Sequence, residues 1–425
     1  MSSGQRRIES LTAHLASQND SAVQNQIVNT RPLSSAKHHR KSPSDVVIVS
    51  ALRSPMCRGG RGAFKETHPE WLLAQVLKAT IEKTKIDPSE IEDVQVGNVL
   101  MPGAGIQTAR MAAIYAGIPE SAATAAVNRQ CGSGLATCAN IAAEIAQGYI
   151  NIGVGAGVES MSKYYGPQAM PSDISSSILE LERAQDVLIP MGATSENVAK
   201  EFGITRQEQD DFAFRSHSLA AKAQKEGLFK EETVPITLED GSTVVDSDDG
   251  IRQTTREALA KLKPAFDPAG STTAGNASQV SDGAAAVLMM RRSIAEKLGL
   301  PVLARWVGFS VVGVPPRIMG IGPAYAIPKL LNQTGLTVED IDIFELNEAF
   351  ASQATYCAKK IGIPLEKINP KGGAIAFGHP LGMTGARQIA TLLPELKRQK
   401  KRFGVTSMCV GVGMGLACAL ENEQL

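Results

Sequence analysis

The sequence has few aromatic residues, no long apolar run and no excess of charge. Phe, Tyr and Trp together make up 4% of its 425 residues, and 43 basic residues balance 43 acidic ones. A chain without a dominant basic field or many rings for stacking lacks the usual features of a nucleic-acid-binding protein. No apolar stretch reaches the roughly 18 residues that span a bilayer, so we predict no membrane span.

Cysteine is also scarce, and its spacing is informative. The six cysteines are spread along the chain and include no Cys-x-x-Cys pair. This spacing predicts reduced thiols in an intracellular protein rather than a disulfide framework. A metal site needs Cys and His residues clustered at ligand spacing, and the sequence has no such cluster, so we expect no metal.

The chain does contain enough apolar residues for sizeable cores, since 43% of it is hydrophobic and only 20% is charged. At about 150 residues per domain, its length predicts two to four domains. Residues 1–44 carry a net charge of +4 and the remainder carries −4. Because the first 44 residues are also rich in Ser, Asn, Gln and His, they indicate a leader and linker outside the core.

Within this leader, Ile8, Leu11 and Leu15 form one apolar stripe at helical spacing. Beside it, Arg7-Ile8 and His14-Leu15, which are five residues apart, resemble the amino-terminal type-2 peroxisomal targeting signal. A generic Arg-rich amphipathic leader, which would suit a mitochondrion, is the alternative. We therefore predict a peroxisomal protein bound by an import receptor through these residues, with the mitochondrion left open.

After residue 44, buried strands alternate with amphipathic helices. The predicted elements include strands at 45–55, 92–100 and 151–161 and helices at 71–84 and 136–148. This alternation predicts a mainly parallel sheet covered on both faces. Residues 336–350 repeat the pattern of 86–100, and residues 402–415 repeat that of 151–161. We therefore predict two copies of one α/β unit.

A polar, mostly helical stretch lies between the copies, and a buried strand returns at 281–290. The simplest architecture is an insertion that interrupts the first unit. The predicted boundaries are 1–44 for the leader and linker, 45–160 plus 281–301 for the first half, 161–280 for the inserted domain and 302–425 for the second half.

Two segments carry residues suited to nucleophilic and base catalysis. NRQCGSG (128–134) places Cys131 at a strand-to-helix turn, where the helix dipole is expected to lower the pKa of its thiol. The alternative is a buried, inert cysteine, which is what we expect of Cys138. His379, in the loop sequence GHP, can serve as a general base near neutral pH or can be a structural loop residue.

Two further segments could support the same chemistry. CVGVG (409–413) offers a second thiol, Cys409, beside accessible backbone N–H groups, which are the ingredients of an oxyanion hole. This glycine run lacks the spacing of a dinucleotide-binding motif. Asn347, in NEAF (347–350), is by itself typical of an ordinary helix N-cap.

Taken together, these segments resemble those of the thiolases, specifically the 3-ketoacyl-CoA thiolases, over nearly all of residues 45–425. NRQCGSG, NASQVSDGAAA (276–286), NEAF, GHP and CVGVG occur in the family's order and spacing. The resemblance implies an α/β fold with five layers, αβαβα, in which two βαβαβαββ halves surround a loop domain inserted in the first half. It also implies that family members commonly form dimers, so we expect a homodimer.

The resemblance also implies roles for single residues. Cys131 is the nucleophile that becomes acylated, His379 is the base that later activates the CoA thiol, and Cys409 is a second acid/base. Asn347, through a bound water, joins His379 in one oxyanion hole, while the N–H groups of Cys131 and Gly411 form the other. The residues implied to contact CoA or to wall the pocket are Ala274, Ser278 and Phe350.

The implied reaction is thiolytic cleavage of a 3-ketoacyl-CoA by CoA, giving acetyl-CoA and a shortened acyl-CoA, in fatty-acid β-oxidation. It proceeds by ping-pong kinetics through acyl-Cys131. CoA is a co-substrate, and no cofactor is expected.

An acetyl-CoA acetyltransferase working in the condensation direction is the alternative within the fold. Tyr164-Tyr165-Gly166 replaces the Ala-Pro-His of biosynthetic acetoacetyl-CoA thiolases, which argues against a short-chain specialist. A decarboxylating ketosynthase would not need the thiol of Cys409. A non-catalytic acyl-CoA or lipid carrier is a remote alternative, because it would not retain a complete catalytic set.

Overall fold

The computed structural model describes residues 36–425, so the predicted targeting residues Arg7, Ile8, His14 and Leu15 lie outside the described part of the chain. Its strands are β1 (Val46–Arg53), β2 (Cys57–Arg58), β3 (Asp93–Gly97), β4 (Ala123–Val127), β5 (Ile152–Ser160), β6 (Ile236–Thr237), β7 (Val244–Val245), β8 (Ser281–Arg291), β9 (Ala304–Gly313), β10 (Ile343–Leu346), β11 (Phe403–Val410) and β12 (Met414–Asn422). Its α-helices are α1 (Pro69–Thr84), α2 (Ile106–Tyr115), α3 (Ser133–Gln147), α4 (Met161–Tyr164), α5 (Ser176–Leu179), α6 (Glu182–Gln185), α7 (Met191–Phe202), α8 (Arg206–Lys225), α9 (Arg256–Ala260), α10 (Arg292–Lys297), α11 (Pro323–Thr334), α12 (Ala351–Ile361), α13 (Ala374–Phe377) and α14 (Thr384–Gln399). None of the helices in this range is long and apolar enough to cross a membrane.

The first half is built on the strand order β1-β8-β5-β3-β4. Strand β3 pairs in parallel with β4 and β5, and β8 pairs antiparallel with β1 and β5. Every residue of β1 and β5 is buried. Such strands, apolar on both faces, are expected where helices cover both sides of a sheet. Helices α1 and α3 provide this cover.

The second half repeats the first. Its order is β9-β12-β11-β10, with β10 parallel to β11 and with β12 antiparallel to β9 and β11. Each strand corresponds to β1, β8, β5 or β3 in turn. This order confirms the predicted duplication, because β3 and β10 come from one pair of repeated segments and β5 and β11 from the other.

The prediction of a mainly parallel sheet is wrong, because the sheet is mixed. The last strand of each half, β8 or β12, inserts antiparallel between two neighbours. Strand–helix alternation reveals parallel crossovers, but it does not reveal that β12 turns back directly after β11, nor in which direction β8 returns after the inserted stretch. Strands β1 and β9, which pair antiparallel, join the halves into one sheet.

The inserted stretch carries helices α4 to α9 and a small hairpin of β6 and β7, and β8 then resumes the first half at Ser281. Residues 36–44, which belong to the predicted leader and linker outside the core, pack against the second half of the fold. Ala36 is buried in the core of the second half, and Lys37 pairs with Asp340 at 2.7 Å. Lys41 pairs with Glu423 at 2.7 Å. These partners are distant in sequence, so composition alone could not reveal them.

Candidate active site

Cys131 lies on the turn that joins β4 to α3. The preceding residue, Gln130, has a φ of +48°, a left-handed conformation that is uncommon for a non-glycine residue and concentrates at functional sites. Ser133 fixes the turn, because its hydroxyl donates to the carbonyl of Gln130 at 2.6 Å and accepts the N–H of Arg129 at 2.9 Å. The turn therefore holds Cys131 immediately before the helix, as predicted.

The prediction of a lowered pKa for Cys131 is wrong. Burial of its sulfur raises the pKa to about 11, although the N–H groups of Gly411 and of Cys131 itself lower it, and the charge of Glu159 raises it further. The residue as a whole is only half-buried, so the crowding is local to the sulfur. Desolvation shifts buried groups by several pKa units, which exceeds the contribution of one helix terminus. The resting thiol is protonated and needs a base.

His379 is a buried base with a defined tautomer. Its Nδ1 lies 2.6 Å from Oγ1 of Thr384, whose hydroxyl donates to the carbonyl of Pro380 at 2.9 Å. Oγ1 must therefore accept a hydrogen bond from the N–H of Nδ1, so Nε2 is the unprotonated nitrogen of the ring. Burial lowers the pKa of His379 to about 3, and the charge of Arg387 adds to this effect. The ring is neutral at physiological pH and able to accept a proton.

Asn347 lies directly against this base. Its Nδ2 is 3.4 Å from Nε2 of His379, and its N–H donates to the carbonyl of Ser407 at 2.8 Å, continuing the pairing of β10 with β11. Its Oδ1 is buried without a hydrogen-bond partner among the described residues. Buried polar atoms in native proteins are nearly always satisfied, so an unpaired one marks a place for a water or substrate group. The amide is more than the helix cap that its sequence suggests.

Cys409 and Gly411 lie where β11 turns into β12. Cys409 is 1% exposed and packs with Met319, Ala349 and Phe350. Burial raises its pKa well above the ordinary value, and the negative charge of a Cys131 thiolate would raise it further. Gly411 points its N–H towards the sulfur of Cys131. The two cysteines, which come from different halves, therefore share one site.

The sharp turn after Cys409 depends on a left-handed backbone. Val412 and Gly413 have φ values of +61° and +91°. A Cβ at Gly413 would lie 2.3 Å from the carbonyl oxygen of Val314, so only glycine fits there. This geometry keeps the N–H of Gly411 directed at the sulfur of Cys131.

The inserted domain reaches the site through residues 276–279. Ser278 donates its N–H to the carbonyl of Ala349 at 3.0 Å, and Ala277 forms a β-bridge with Phe350. The predicted pocket residues Ser278 and Phe350 therefore lie side by side, and Phe350 contacts Cys409. Ala274 is exposed and lies further along the same loop.

Sequence reasoning missed two residues that hold His379. The carbonyl of Gln279 accepts the N–H of His379 at 3.1 Å, and the side chain of Gln279 donates to the carbonyl of Ala376 at 2.7 Å. Thr384 fixes the tautomer. Thr384 follows GHP closely enough that a search for a hydroxyl at the next helix start could have found it, whereas Gln279 acts across a non-local contact.

Cys131 interacts with Cys409, and Asn347, which contacts His379, bonds to Ser407 two residues before Cys409. Two thiols, a neutral imidazole, an amide and the N–H groups at Cys131 therefore lie near one another. The described residues hold no group of three or more His, Cys, Asp or Glu side chains that could bind a metal ion. A duplicated α/β fold with such a site defines a class of enzymes, the acyltransferases that act on thioesters.

Comparison with known proteins identifies the family. The sequence matches the family descriptions "Thiolase, N-terminal domain" over residues 46–293 and "Thiolase, C-terminal domain" over residues 300–422. The peroxisomal 3-ketoacyl-CoA thiolase B of Rattus norvegicus is 55% identical over an alignment of 424 residues, which covers 98% of this chain and 99% of that protein. The chain belongs to the thiolase family.

Solved structures agree with this assignment. The dimeric peroxisomal thiolase of Saccharomyces cerevisiae matches with a TM-score of 0.86 and 52% identity, over 90% of this chain and 99% of that one. The acetyl-CoA acetyltransferase of Bacillus anthracis matches with a TM-score of 0.81 and 39% identity, over 89% of this chain and 98% of that one. The expected five-layered α/β thiolase fold is confirmed.

Proposed function

We propose that this protein cleaves 3-ketoacyl-CoA with CoA, giving acetyl-CoA and an acyl-CoA shortened by two carbons, in fatty-acid β-oxidation. The observation that carries the proposal is the meeting of Cys131 with Gly411 and of His379 with Asn347 at the junction of the two halves. The similarity to the rat peroxisomal thiolase exceeds that to the bacterial acetyltransferase and favours degradation over condensation.

In the first half-reaction, His379 Nε2 takes the proton of Cys131, and the sulfur attacks the 3-keto carbon. The tetrahedral oxyanion lies beside the attacking sulfur, where the N–H groups of Cys131 and Gly411 receive it. Removing one such donor typically costs about 3–4 kcal/mol of transition-state stabilisation. The collapse of this intermediate breaks the C2–C3 bond and leaves the acyl group on Cys131.

The leaving group is the enolate of acetyl-CoA, which needs a proton at its carbon. Cys409, whose raised pKa keeps it protonated, supplies that proton, and Asn347 with His379 stabilises the enolate oxygen. The proton held by His379 then passes to the Cys409 thiolate, which frees Nε2 again. CoA enters, gives its thiol proton to His379 and attacks the acyl-Cys131 thioester. The Cys131 thiolate leaves and takes the proton back from His379. In the net reaction, the proton from CoA replaces the one that the enolate received.

The test is a steady-state assay of 3-ketoacyl-CoA cleavage combined with intact-protein mass spectrometry. We expect cleavage by the wild type, an acyl adduct on Cys131 and no cleavage by Cys131→Ala. Cleavage by Cys131→Ala would contradict the proposal, and binding of acyl-CoA without any adduct would revive the carrier alternative. Higher activity in acetyl-CoA condensation than in cleavage of medium-chain substrates would favour the acetyltransferase.

We also propose that the protein is a peroxisomal homodimer. Strand β4 ends the sheet with a half-exposed, unpaired edge, which is a surface that a second copy can cover. A monomeric mass by light scattering would contradict the dimer.

The peroxisomal location is tested with a fluorescent fusion of residues 1–44, which should reach peroxisomes through an import receptor. Arg7→Glu should abolish that targeting. Mitochondrial staining would overturn the location.

A further inference from the structure

Glu159 is a buried carboxylate at the end of β5 that the mechanism above does not use. It is wholly buried. Its hydrogen-bond partners among the described residues are all neutral N–H donors rather than a lysine or arginine. Burial raises its pKa to about 7 despite these hydrogen bonds. Burying a carboxylate without a cation is unfavourable, so its retention calls for a specific role.

The donors come from two loops that border the active site. Oε2 accepts the N–H of Val99 at 3.1 Å and that of Gly382 at 2.9 Å, while Oε1 accepts Asn98 Nδ2 at 3.0 Å and the N–H of Leu100 at 3.3 Å. One oxygen atom therefore joins the loop after β3 to the loop that follows His379.

Each loop leads directly to a reacting group. The carbonyl of Val99 accepts Asn128 Nδ2 at 3.0 Å, and Asn128 belongs to the turn that presents Cys131. Gly382 lies three residues after His379, in a space so narrow that a Cβ would be 2.7 Å from Cα of Asn98. The main chain at Gly382, in the second half, thus packs against the first half, and Glu159 accepts the N–H of Gly382.

The duplication of the fold gives an independent reason to single out this residue. Gly157 pairs with Gly97 in the first half, and Ser407 pairs with Leu346 in the second. Two residues beyond Gly157 stands Glu159, and two residues beyond Ser407 stands Cys409. The carboxylate thus occupies, in its own half, the place that the second thiol occupies in the other.

We propose that Glu159 is a positioning residue for the thiolase reaction, because its carboxylate holds the His379 loop against the loop that supports Cys131. A glutamine at this position offers one acceptor oxygen, and its NH₂ group faces two N–H donors. One loop must then move away. Misplacing a catalytic group by about 1 Å can cost roughly 100-fold in rate, whereas the CoA-contacting loop of the inserted domain stays in place.

The test compares Glu159→Gln, Glu159→Asp and a control, Glu92→Gln, with the wild type. Glu92 accepts the N–H groups of Asn151 and Ile152 at the opposite end of β5. We expect Glu159→Gln to lower kcat about 10- to 100-fold, with KM values for both substrates and the unfolding temperature close to those of the wild type. Glu159→Asp, which keeps the charge but is shorter, should recover part of kcat, and Glu92→Gln should retain all of it.

A wild-type kcat in Glu159→Gln would overturn the proposal, and so would an equal loss of kcat in Glu92→Gln. If Glu159→Gln does not fold, Glu159→Asp decides the matter, since wild-type kcat in that variant would also overturn the proposal. The inference rests on the proposed thiolase activity, so the rate of Cys131 alkylation by iodoacetamide is measured in parallel. Slower alkylation in Glu159→Gln supports the positioning role even if the wild type cleaves no 3-ketoacyl-CoA.

Discussion

The two halves share their strand order but differ at the ends of equivalent strands. Asn98 directly follows β3, and Asn347 directly follows the equivalent β10. Asn98 is fully engaged, with its side chain bonded to Val158, Glu159 and Met101. Asn347 keeps Oδ1 unpaired beside His379. The same residue type at equivalent places is therefore fully hydrogen-bonded in one half and keeps an unpaired oxygen beside His379 in the other.

The same contrast holds one strand away, where Glu159 and Cys409 are the penultimate residues of β5 and β11. In the proposed mechanism, the first half contributes Cys131, while the second contributes His379, Asn347, Cys409 and Gly411. At these strand ends, the polar side chains of the first half are closed into a set of hydrogen bonds, whereas Asn347 in the second half keeps an unpaired oxygen. Substitutions at equivalent positions should therefore affect activity in one half and stability or positioning in the other.

Among the substitutions that test this comparison between equivalent positions, the largest expected effect is that of Cys409→Ala. It removes the proton donor for the enolate, so kcat for 3-ketoacyl-CoA cleavage should fall about 10²- to 10⁴-fold. Alkylation of Cys131 by iodoacetamide should persist, because the nucleophile and its base remain. Cys418→Ala, which removes a buried thiol on the adjacent β12, is the matched control and should leave kcat unchanged. An active Cys409→Ala enzyme would refute the assigned role.

The asparagines test the comparison directly. Asn347→Ala should lower kcat about 100-fold, since it removes a donor at the enolate oxygen, and should change the unfolding temperature little. Asn98→Ala removes three hydrogen bonds, each contributing about 1 kcal/mol, and should mainly lower the unfolding temperature. Kinetics and thermal unfolding of both variants decide the matter. Similar losses of stability in the two would show that the halves do not differ in this way.

Much of the fold followed from the sequence because its signals are local. Strand–helix alternation and two repeated segments predicted the duplicated α/β halves, and the return at 281–290 predicted the insertion. The mixed strand directions were missed, because they depend on how β8 and β12 pair with distant strands. The packing of residues 36–44 was missed for the same reason, since Asp340 and Glu423 lie at the other end of the chain.

The site followed from residue types and from the family resemblance, but its electrostatics did not. The helix dipole at Cys131 is a local property, whereas the burial that raises its pKa comes from surrounding segments of both halves. Thr384 and Gln279 act on His379 through hydrogen bonds that the resemblance did not specify. Glu159 carried no sequence signal, since its role depends on the meeting of two loops.

A smaller effect is expected at the starts of the equivalent helices α3 and α14. Ser133 fixes the turn before Cys131, and Thr384 accepts a hydrogen bond from the N–H of His379 Nδ1. Thr384→Val keeps the shape but removes this acceptor, so the other tautomer becomes available. We expect kcat to fall about 10-fold, less than the roughly 10²- to 10⁴-fold that a general base contributes, because the base itself remains. Thr384→Ser restores the hydroxyl and should restore kcat. Equal losses in the two variants would indicate a packing effect.

The smallest effect concerns stability alone and distinguishes two buried carboxylates. Burial raises the pKa of Glu345, on β10, to about 7, whereas Lys371 and Arg53 hold the pKa of Glu232 below its usual value despite burial. A raised pKa means that folding is favoured while the group is protonated and that this contribution is lost as the pH rises through about 7. The difference in unfolding temperature, Glu345→Gln minus wild type, should therefore be more positive at pH 8 than at pH 5.

Glu232 is the matched control, because its lowered pKa reverses the sign. Its ionised form stabilises the folded state above the ordinary carboxyl pKa, and this contribution is lost as the pH falls. Glu232→Gln should therefore be destabilising at pH 8 and less so at pH 4. Thermal unfolding across this pH range measures both effects. If the two variants changed in the same direction with pH, the charge of Glu345 would be stabilised by Arg387 rather than opposed by burial, and the second half would carry its buried charge without a net cost.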